Sequence, residues 1–364
     1  METLAVCSPN FKHSKSCIKF FETKISGQEV SFGFIKTIDP PKLGDGDEKM
    51  VIFKILAFSA NYRDKSAILS FKDTCKEKMD QEAYYYYPFG SDFVCEVIMT
   101  GSGVPELRPG DRVICDGSYP FKIDGSFGGL PTNCASQRYQ KLPYAYLKKI
   151  SDTIPTEVAA AFTISGQTAY SIVRKLDPRK GQTILVTAGS SNTSLAVINA
   201  LRKYDVDIFA LSQRSDIKEK LIEQGVKEVY SLDDLLNPEI INVKFDAVVD
   251  PFYDLHLART VRLIKNGGKY ISCGMYQQNK YYDKISSPED NLSAIFNHCI
   301  INNISLIGNC LGNSDDLQNA LSDYESGVFN IVIDSVYKIQ EAEKFVAKTF
   351  HNEPRFGKVV FSYV

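Results

Sequence analysis

Residues Thr183 to Leu195 read TILVTAGSSNTSL. The apolar run TILV predicts a buried strand, the small residues after it predict a tight turn, and the hydroxyl and amide side chains of Ser191–Thr193 favour a helix N-terminus. Strand, turn and helix in this order are the layout of a dinucleotide-binding βαβ unit. Such a turn usually carries glycines, and here polar residues take their places. The site therefore holds a nucleotide in an altered way, or it has lost the nucleotide.

The sequence around this stretch alternates between strand and helix patterns, which predicts a parallel sheet with right-handed crossovers. The expected strands are 183–187, 207–211, 227–230, 245–249, 268–273 and 304–308, and the expected helices are 157–175, 193–204, 216–224 and 254–264. Helices near 314–326 and 340–349 and a last strand at 358–361 follow. Before residue 155, short apolar runs broken by Gly, Pro and Asp predict an irregular β-barrel.

The composition narrows the classes of function. A net charge of -2 over 364 residues argues against binding to nucleic acid through phosphate contacts. No apolar run reaches the length of a membrane span, and the first residues lack the pattern of a signal peptide. Nine cysteines without a Cys-x-x-Cys motif and four scattered histidines predict reduced thiols, a cytoplasmic location and no bound metal.

Residues 72–88 run from a charged segment into four consecutive tyrosines, Tyr84–Tyr87. The simpler interpretation is a solvated loop whose rings pack on the surface. The alternative is an aromatic wall at the mouth of a substrate site.

Seven short segments, in this order, resemble the medium-chain dehydrogenase/reductase superfamily and in particular its zinc-free quinone-oxidoreductase and enoyl-reductase branch. They are Asn61–Asp64, Pro88–Val97, Gly101–Val104 with Pro109–Val113, Gly166–Tyr170, Phe245–Asp250, Asn266–Tyr270 and Gly357–Val360. The resemblance implies an α/β chain with a GroES-like β-barrel catalytic domain, residues 1–156 and 313–364, around an inserted Rossmann domain, residues 157–312. It also implies a homodimer that forms through the edge strand at 304–307.

The resemblance also bears on metal. Zinc enzymes of the superfamily carry a cysteine at the position of Asn61 and a His-Glu pair at Ser91-Asp92, so this chain lacks those ligands. Without zinc, hydride addition to a C=C conjugated with a carbonyl is easier than reduction of an isolated ketone, because the charge spreads onto oxygen as an enolate. Hydrogen-bond donors, worth roughly 3 kcal/mol each, then suffice to stabilise the enolate oxygen in the transition state.

Two residues are the candidates for the catalytic roles. Tyr62 lies in a segment that lines the cleft in the resembling enzymes, and its hydroxyl could donate to an enolate or protonate the α-carbon. The alternative is a packed aromatic residue with an ordinary hydrogen bond. Asn61, with Asp64, forms part of the nicotinamide pocket in such enzymes, or only holds the local turn.

The cofactor site is expected to hold NADPH. Relatives have glycine at the positions of Ala188, Ser191, Asn192 and Ser194, so Gly189 is expected to supply the one positive φ, and Ser194 to crowd the contact between helix and strand. Arg214 follows a strand that ends without an acid, and it can pair with a 2′-phosphate. The expected cofactor-binding residues are Thr168, Gly189, Ser190, Ser191, Asn192, Thr193, Ser212, Arg214 and Gly274. Thr168 has the alternative of bonding back within its helix.

The sequence thus predicts a zinc-independent, NADPH-dependent reductase of an activated C=C, in an enone, quinone, enoyl or dehydroamino-acid substrate. The substrate is a small molecule or a peptide. The alternative is an inactive homologue that kept the fold as a cofactor-binding or structural protein.

Overall fold

A computed structural model describes residues 2–36, 40–78, 84–118, 122–123, 126–127, 134–237, 240–278, 292–351 and 353–364. The strands in these residues, in chain order, are β1 (Glu2–Cys7), β2 (Cys17–Ile25), β3 (Gln28–Lys36), β4 (Met50–Ser59), β5 (Tyr86–Pro88), β6 (Asp92–Thr100), β7 (Arg112–Cys115), β8 (Lys122–Ile123), β9 (Ser126–Phe127), β10 (Tyr139–Pro143), β11 (Leu147–Lys149), β12 (Thr183–Val186), β13 (Asp207–Leu211), β14 (Glu228–Tyr230), β15 (Phe245–Asp250), β16 (Ile264–Ser272), β17 (Ser305–Gly308), β18 (Ile333–Tyr337) and β19 (Lys358–Ser362).

The α-helices in these residues are α1 (Asp64–Glu77), α2 (Thr156–Ala159), α3 (Phe162–Leu176), α4 (Asn192–Leu201), α5 (Lys218–Glu223), α6 (Tyr253–Thr260), α7 (Leu292–Ile301), α8 (Ser314–Glu325) and α9 (Ala342–Phe350). None of these helices combines the length and the apolar character that crossing a bilayer requires.

The predicted parallel sheet is confirmed. Its strand order is β14-β13-β12-β15-β16-β17, and every neighbouring pair in it is parallel. The chain leaves β12 on one side towards β13 and returns on the other side as β15. This reversal opens a crevice at the carboxyl ends of β12 and β15, which is where doubly wound sheets bind their ligands.

Strands before β12 and after β17 form the barrel-like half, as expected. One sheet has the order β2-β3-β1-β5, and a larger one has the order β11-β7-β6-β4-β19-β18 with β10 on β4. The last strand of the chain, β19, pairs antiparallel with β4, with Val360 opposite Ser59. The start and the tail of the chain therefore build one unit, and the parallel sheet is an insertion within it.

Aromatic packing holds the tail onto this unit. The ring of Phe58, on β4, lies 5.2 Å from the ring of Phe361 on β19 and 5.4 Å from the ring of Phe345 on α9. All three side chains are fully buried. Each such ring pair contributes roughly 0.5–1.5 kcal/mol beyond its buried area.

Several elements differ from the sequence-based expectation. The charged segment from Lys72 is the second half of helix α1, so the loop interpretation is wrong there. The tyrosines after it contact the β1 sheet, where the ring of Tyr84 lies 5.7 Å from that of Phe11, and Tyr87 stacks on Phe71 at 5.0 Å. They pack on the surface of the barrel and do not line the central crevice.

The expected helix at 157–175 is interrupted between α2 and α3. Helix α7 was not expected, because its apolar residues do not follow a one-faced helical pattern.

Candidate functional site

A continuous cleft lies between the barrel-like half and the parallel sheet, and it has two recesses. The inner recess is lined by residues that include Asn61, Thr168, Thr193, Gly274 and Lys358. The outer recess is lined by residues that include Ser190, Gln213, Arg214 and Lys348. Tyr62, Ser191, Phe252 and Arg355 line both recesses and mark where they join.

The turn after β12 has an unexpected backbone conformation. Ala188 takes the left-handed conformation with φ +48°, and Gly189 does not have a positive φ, so the prediction for Gly189 is wrong. Gly189 is favoured for a different reason. A Cβ at this position would lie 3.1 Å from Leu221 Cδ1, which is tighter than ordinary contact, and 3.4 Å from Ala210 Cβ.

Ser194 does not crowd the contact between helix and strand, as the sequence led us to expect. Its side chain is almost fully buried, and its hydroxyl donates to the carbonyl oxygen of Thr187 at 2.6 Å. The hydroxyl of Ser191 caps α4 by accepting from the N–H of Ser194 at 3.2 Å. The serine at a position where relatives have glycine is thus accommodated by a hydrogen bond to Thr187, the residue after β12.

The N-terminus of α4 faces the cleft. Ser191, Asn192 and Thr193 line the inner recess, and Ser190 lines the outer one. The first N–H groups of a helix have no partner within it, and they carry the positive end of the helix dipole. The amide of Asn192 is fixed because it donates to Ser165 Oγ at 2.7 Å. This arrangement can bind an anionic group such as a pyrophosphate.

Arg355 adds a cation at the same place, and the sequence analysis missed it. Its guanidinium donates to the carbonyl oxygen of Thr349 at 3.0 Å. Burial lowers the pKa of Arg355, and the negative charge of Asp334 offsets only part of this shift. The neighbouring Gly357 N–H donates to Ser190 O at 3.3 Å, so this segment lies directly against the turn after β12. A desolvated guanidinium beside a helix N-terminus favours an anionic ligand.

Arg214 lies in the wall of the outer recess, but it already has a carboxylate partner. Its Nε donates to Asp216 Oδ1 at 3.0 Å, and its Nη2 bonds the other oxygen of the same carboxylate. Its Nη1 donates to the carbonyl oxygen of Arg355 at 2.7 Å. Ser212 is buried beneath it, and its hydroxyl accepts from the N–H of Arg214 at 3.1 Å. Ser212 is therefore placed to hold this turn, and it does not line either recess.

Thr168 and Gly274 both lie in the inner recess, where the sequence analysis expected the nicotinamide. Thr168 is nearly buried, on the face of α3 that meets the cleft. At Gly274 a Cβ would lie 2.7 Å from the carbonyl oxygen of Pro251, so only glycine fits.

Asn61 belongs to a buried network of polar groups. Its backbone N–H donates to Asp64 Oδ2 at 2.6 Å, and its Nδ2 donates to Asp92 Oδ2 at 2.9 Å. The ammonium of Lys358 donates to Asn61 Oδ1 at 2.6 Å and to Asp92 Oδ2 at 2.8 Å. The side chains of Lys358 and Asp92 are only 3% and 0% exposed. Asn61 and Asp92, two of the three positions compared with those of the zinc enzymes, thus both bond the ammonium group of Lys358.

Tyr62 lies across the cleft from the parallel sheet. Its hydroxyl donates to the carbonyl oxygen of Tyr276 at 3.1 Å, and its ring stacks on that of Tyr276 at 5.6 Å and meets Phe252 edge-on at 5.3 Å. Burial raises the pKa of Tyr62. The hydroxyl therefore keeps its proton, and that proton is engaged by a backbone carbonyl.

Across the described part of the chain, no group of three or more His, Cys, Asp or Glu side chains is placed to hold a metal ion. Cys273 lines the inner recess, and burial raises its pKa to about 12. Its thiol is therefore protonated near neutral pH.

Comparison with known proteins gives relatives whose names include quinone oxidoreductases and an acryloyl-coenzyme A reductase. A protein of Schizosaccharomyces pombe named "Probable quinone oxidoreductase" is 28% identical over 169 residues, which are 45% of this chain and 50% of that protein. An acryloyl-coenzyme A reductase of Metallosphaera sedula is 22% identical over 353 residues, which are 90% of this chain and 96% of that protein. No protein-family model matches the chain.

Among solved structures, a NAD-dependent alcohol dehydrogenase has the same fold. It superposes with a TM-score of 0.75 at 19% identity, and the superposition covers 100% of both chains.

The backbone at Ala188 and Gly189 yields a paired prediction about stability. Ala188→Gly should raise the free energy of unfolding by roughly 0.5–1 kcal/mol, because glycine adopts a positive φ without a Cβ penalty. Gly189→Ala should lower it by about 1 kcal/mol, because the new Cβ crowds Ala210 and Leu221. Urea unfolding measures both values, and effects of the same sign would contradict this description of the turn.

Asp64 yields a prediction about pH. Burial raises the pKa of its carboxyl to about 7, against hydrogen bonds from Asn61 and Ser91 and the charges of Arg63 and Lys358. Because the pKa in the unfolded chain is about 3.9, the folded state binds this proton more tightly, and stability should fall as pH rises from about 4 through about 7. Asp64→Asn should remove this part of the pH dependence of Tm. An unchanged slope in the variant would refute the assignment.

Proposed function

We propose that the chain is an NADPH-dependent reductase of an activated C=C or a quinone, and that this reductase works without zinc. The proposal builds on the membership of the chain in the medium-chain dehydrogenase/reductase superfamily and its quinone-oxidoreductase branch. The observation that carries this proposal is the single cleft in which the N-terminus of α4 and Arg355 adjoin a polar recess containing Asn61 and Tyr62.

The cleft fits a dinucleotide along its length. The outer recess offers Arg214 for a phosphorylated ribose, and the junction offers helix N–H groups and Arg355 for a pyrophosphate. The inner recess offers the backbone at Gly274 and the side chain of Thr168 beside a nicotinamide. When bound, the reduced cofactor supplies a hydride, and the residues of this chain position the acceptor and stabilise the charge that develops on it.

The donor set of the inner recess supports chemistry without zinc. Asn61 and Asp92 are already bonded to the ammonium of Lys358, and a cation at that position repels a metal ion. An acceptor in which charge spreads onto a carbonyl oxygen then needs only hydrogen-bond donors, worth roughly 3 kcal/mol each. Quinones and alkenes conjugated with a carbonyl are such acceptors, and acryloyl-coenzyme A is the acceptor named for one relative.

We keep for Tyr62 and Asn61 the roles proposed from the sequence. Asn61 is already in place for its role, whereas Tyr62 must first give up a hydrogen bond. Asn61 is held by three hydrogen bonds and forms the floor of the inner recess. The hydroxyl of Tyr62 can protonate an α-carbon only after it leaves the carbonyl of Tyr276. Its ring and its bond to Tyr276 therefore also connect the two halves across the cleft.

A second candidate function, a binding or structural protein without turnover, is favoured by one observation. The turn after β12 has polar side chains where the resembling enzymes have glycines, and the hydroxyls of Ser191 and Ser194 bond each other and Thr187. A protein that binds the cofactor without turnover would fit this candidate as a binding protein. A protein that binds no cofactor would fit it as a structural protein, and turnover would identify the reductase.

Titration with NADPH and NADH, followed by nicotinamide fluorescence, tests the cofactor. We expect NADPH to bind more tightly than NADH. Arg214→Ala should weaken NADPH by roughly tenfold and leave NADH nearly unchanged, because a charge-assisted bond contributes about 1.5–3 kcal/mol and the arginine must share it with Asp216.

Asp216→Asn is the matched variant for this titration. It removes the carboxylate that competes for Arg214, so NADPH should bind more tightly than in the wild type, while NADH should not change. No binding of either cofactor at millimolar concentration would refute the reductase. A preference for NADH would refute the role of Arg214.

We also propose that the protein is a homodimer formed through β17, the edge strand of the parallel sheet. Helix α7, which precedes this strand, exposes large apolar side chains, with Ile300 at 71% and Phe296 at 49% exposure. Pairing of β17 with a second copy would satisfy the edge and cover this face.

Sedimentation tests the dimer. The wild type should sediment as a dimer, and Ile300→Glu should shift it towards the monomer without lowering Tm, because the side chain is exposed within one chain. A monomeric wild type would contradict the proposal.

A further inference from the structure

The ammonium of Lys358 stands out among the charged groups of the inner recess. It is nearly buried, yet its side chain forms part of the wall of the recess beside Asn61 and Thr168. An ammonium carries three donors, and among the described residues it has two acceptors, Asn61 Oδ1 and Asp92 Oδ2.

We propose that Lys358 is a catalytic residue whose ammonium donates a hydrogen bond to the carbonyl oxygen of the acceptor and stabilises the negative charge that develops there. This inference rests on the proposed function, and it assigns to Lys358 the role that a metal ion has in zinc members of the superfamily.

The two acceptors of Lys358 are themselves fixed, which keeps the ammonium in one place. Asp92 Oδ1 accepts from the backbone N–H of Ile164 at 2.8 Å, at the start of α3. Asn61 is held by Asp64 at 2.6 Å. A donor whose position does not change during the reaction stabilises charge more effectively than a mobile one, since no reorganisation accompanies the charge transfer.

The charge distribution also suits this role. Asp92 balances the ammonium from the buried side, so the lysine remains inside the protein without a net charge on the pair. As the acceptor becomes an enolate, its oxygen on the cleft side becomes a second negative group beside the same ammonium. This second negative charge is present only during the reaction. The interaction therefore strengthens in the transition state relative to the bound substrate, as rate acceleration requires.

The step balances without a further reactant. The acceptor gains a hydride at its β-carbon, supplied by the reduced cofactor of the proposed function, which is thereby oxidised. The electron pair of the C=C moves to the adjacent bond, and the carbonyl pair moves to oxygen, which gives the enolate. As the carbonyl re-forms, the α-carbon takes a proton from the Tyr62 hydroxyl, which first leaves the carbonyl of Tyr276. Tyr62 regains a proton from water, and Lys358 keeps its own proton throughout.

A purely structural role for the pair must be separated from this one. Removal of the lysine alone leaves Asp92 buried without its cation, which destabilises a fold by several kcal/mol. The informative variant is therefore Lys358→Met combined with Asp92→Asn, which leaves neither charge behind. Lys358→Arg keeps the charge and both acceptors. Lys149→Met is the matched control, because Lys149 pairs with Asp111 at 2.6 Å on the surface, away from the cleft.

The test has two readouts. The first is kcat/KM for an enone with NADPH, beside NADPH binding by fluorescence. The second does not depend on turnover: 4-nitrophenol is bound to the protein in the presence of NADP⁺, and its absorbance reports ionisation. An ammonium in contact with the phenol oxygen favours the phenolate, so its apparent pKa should fall on binding.

We expect the double variant to bind NADPH like the wild type, to lose 10²–10³-fold in kcat/KM, and to lose the shift of the bound phenol. Lys358→Arg should retain part of the kcat/KM and part of the phenol shift that the double variant loses. Lys149→Met should leave both quantities at their wild-type values. A double variant with wild-type kcat/KM and an unchanged phenol shift would overturn the role of Lys358 while leaving the reductase intact. A wild type that binds no cofactor would refute the proposed function itself.

Discussion

The return of the last strand to the first half of the chain is the constraint on which the cleft depends. Pairing of β19 with β4 and the aromatic contacts of Phe58 fix where the tail lies. The residues just before and at the start of β19 are Arg355, Gly357 and Lys358. Arg355 lies at the junction of the two recesses, and Gly357 bonds the turn after β12. Lys358 bonds Asn61 and Asp92. One strand pairing thus places a guanidinium, a backbone donor and an ammonium along the same cleft.

The glycine-poor turn keeps a helix N-terminus open to the cleft with residues other than glycine. Where the resembling enzymes rely on glycine, Ala188 accepts a left-handed conformation, which is a strain of order 1 kcal/mol. The buried hydroxyl of Ser194 donates a hydrogen bond to the carbonyl oxygen of Thr187, just after β12. Helix α4 still presents its N-terminus to the cleft, so the electrostatic basis for binding an anion survives the loss of the glycines.

Local patterns in the sequence predicted much of the sheet and little of the site's polar network. Strand β13 has the predicted bounds, because a short, continuous apolar run bounded by polar turn residues is typical of a buried strand. The turn was mispredicted at Gly189, because local sequence favours glycine for a positive φ and the structure has that conformation at Ala188 instead.

Lys358 and Arg355 carry no local signal for their roles. The lysine was recognised only as part of a family segment, and its partners Asp92 and Asn61 are 266 and 297 positions away in the chain. Contacts at such separations depend on the pairing of β19 with β4, which no window of sequence contains. The pairing of Arg214 with Asp216 is a contrary case, because the acid is two residues away and could have been anticipated.

The central claim is hydride transfer to an activated acceptor without a metal ion. The most direct measurement is the rate of NADPH oxidation by a quinone, an enone and an isolated ketone, on protein dialysed exhaustively against a chelator, with its metal content determined. We predict that the quinone or the enone is reduced at a rate that added zinc does not increase, and that the isolated ketone is not reduced. Turnover of the isolated ketone that appears only with zinc, or no oxidation of NADPH by any of the three, would contradict the account.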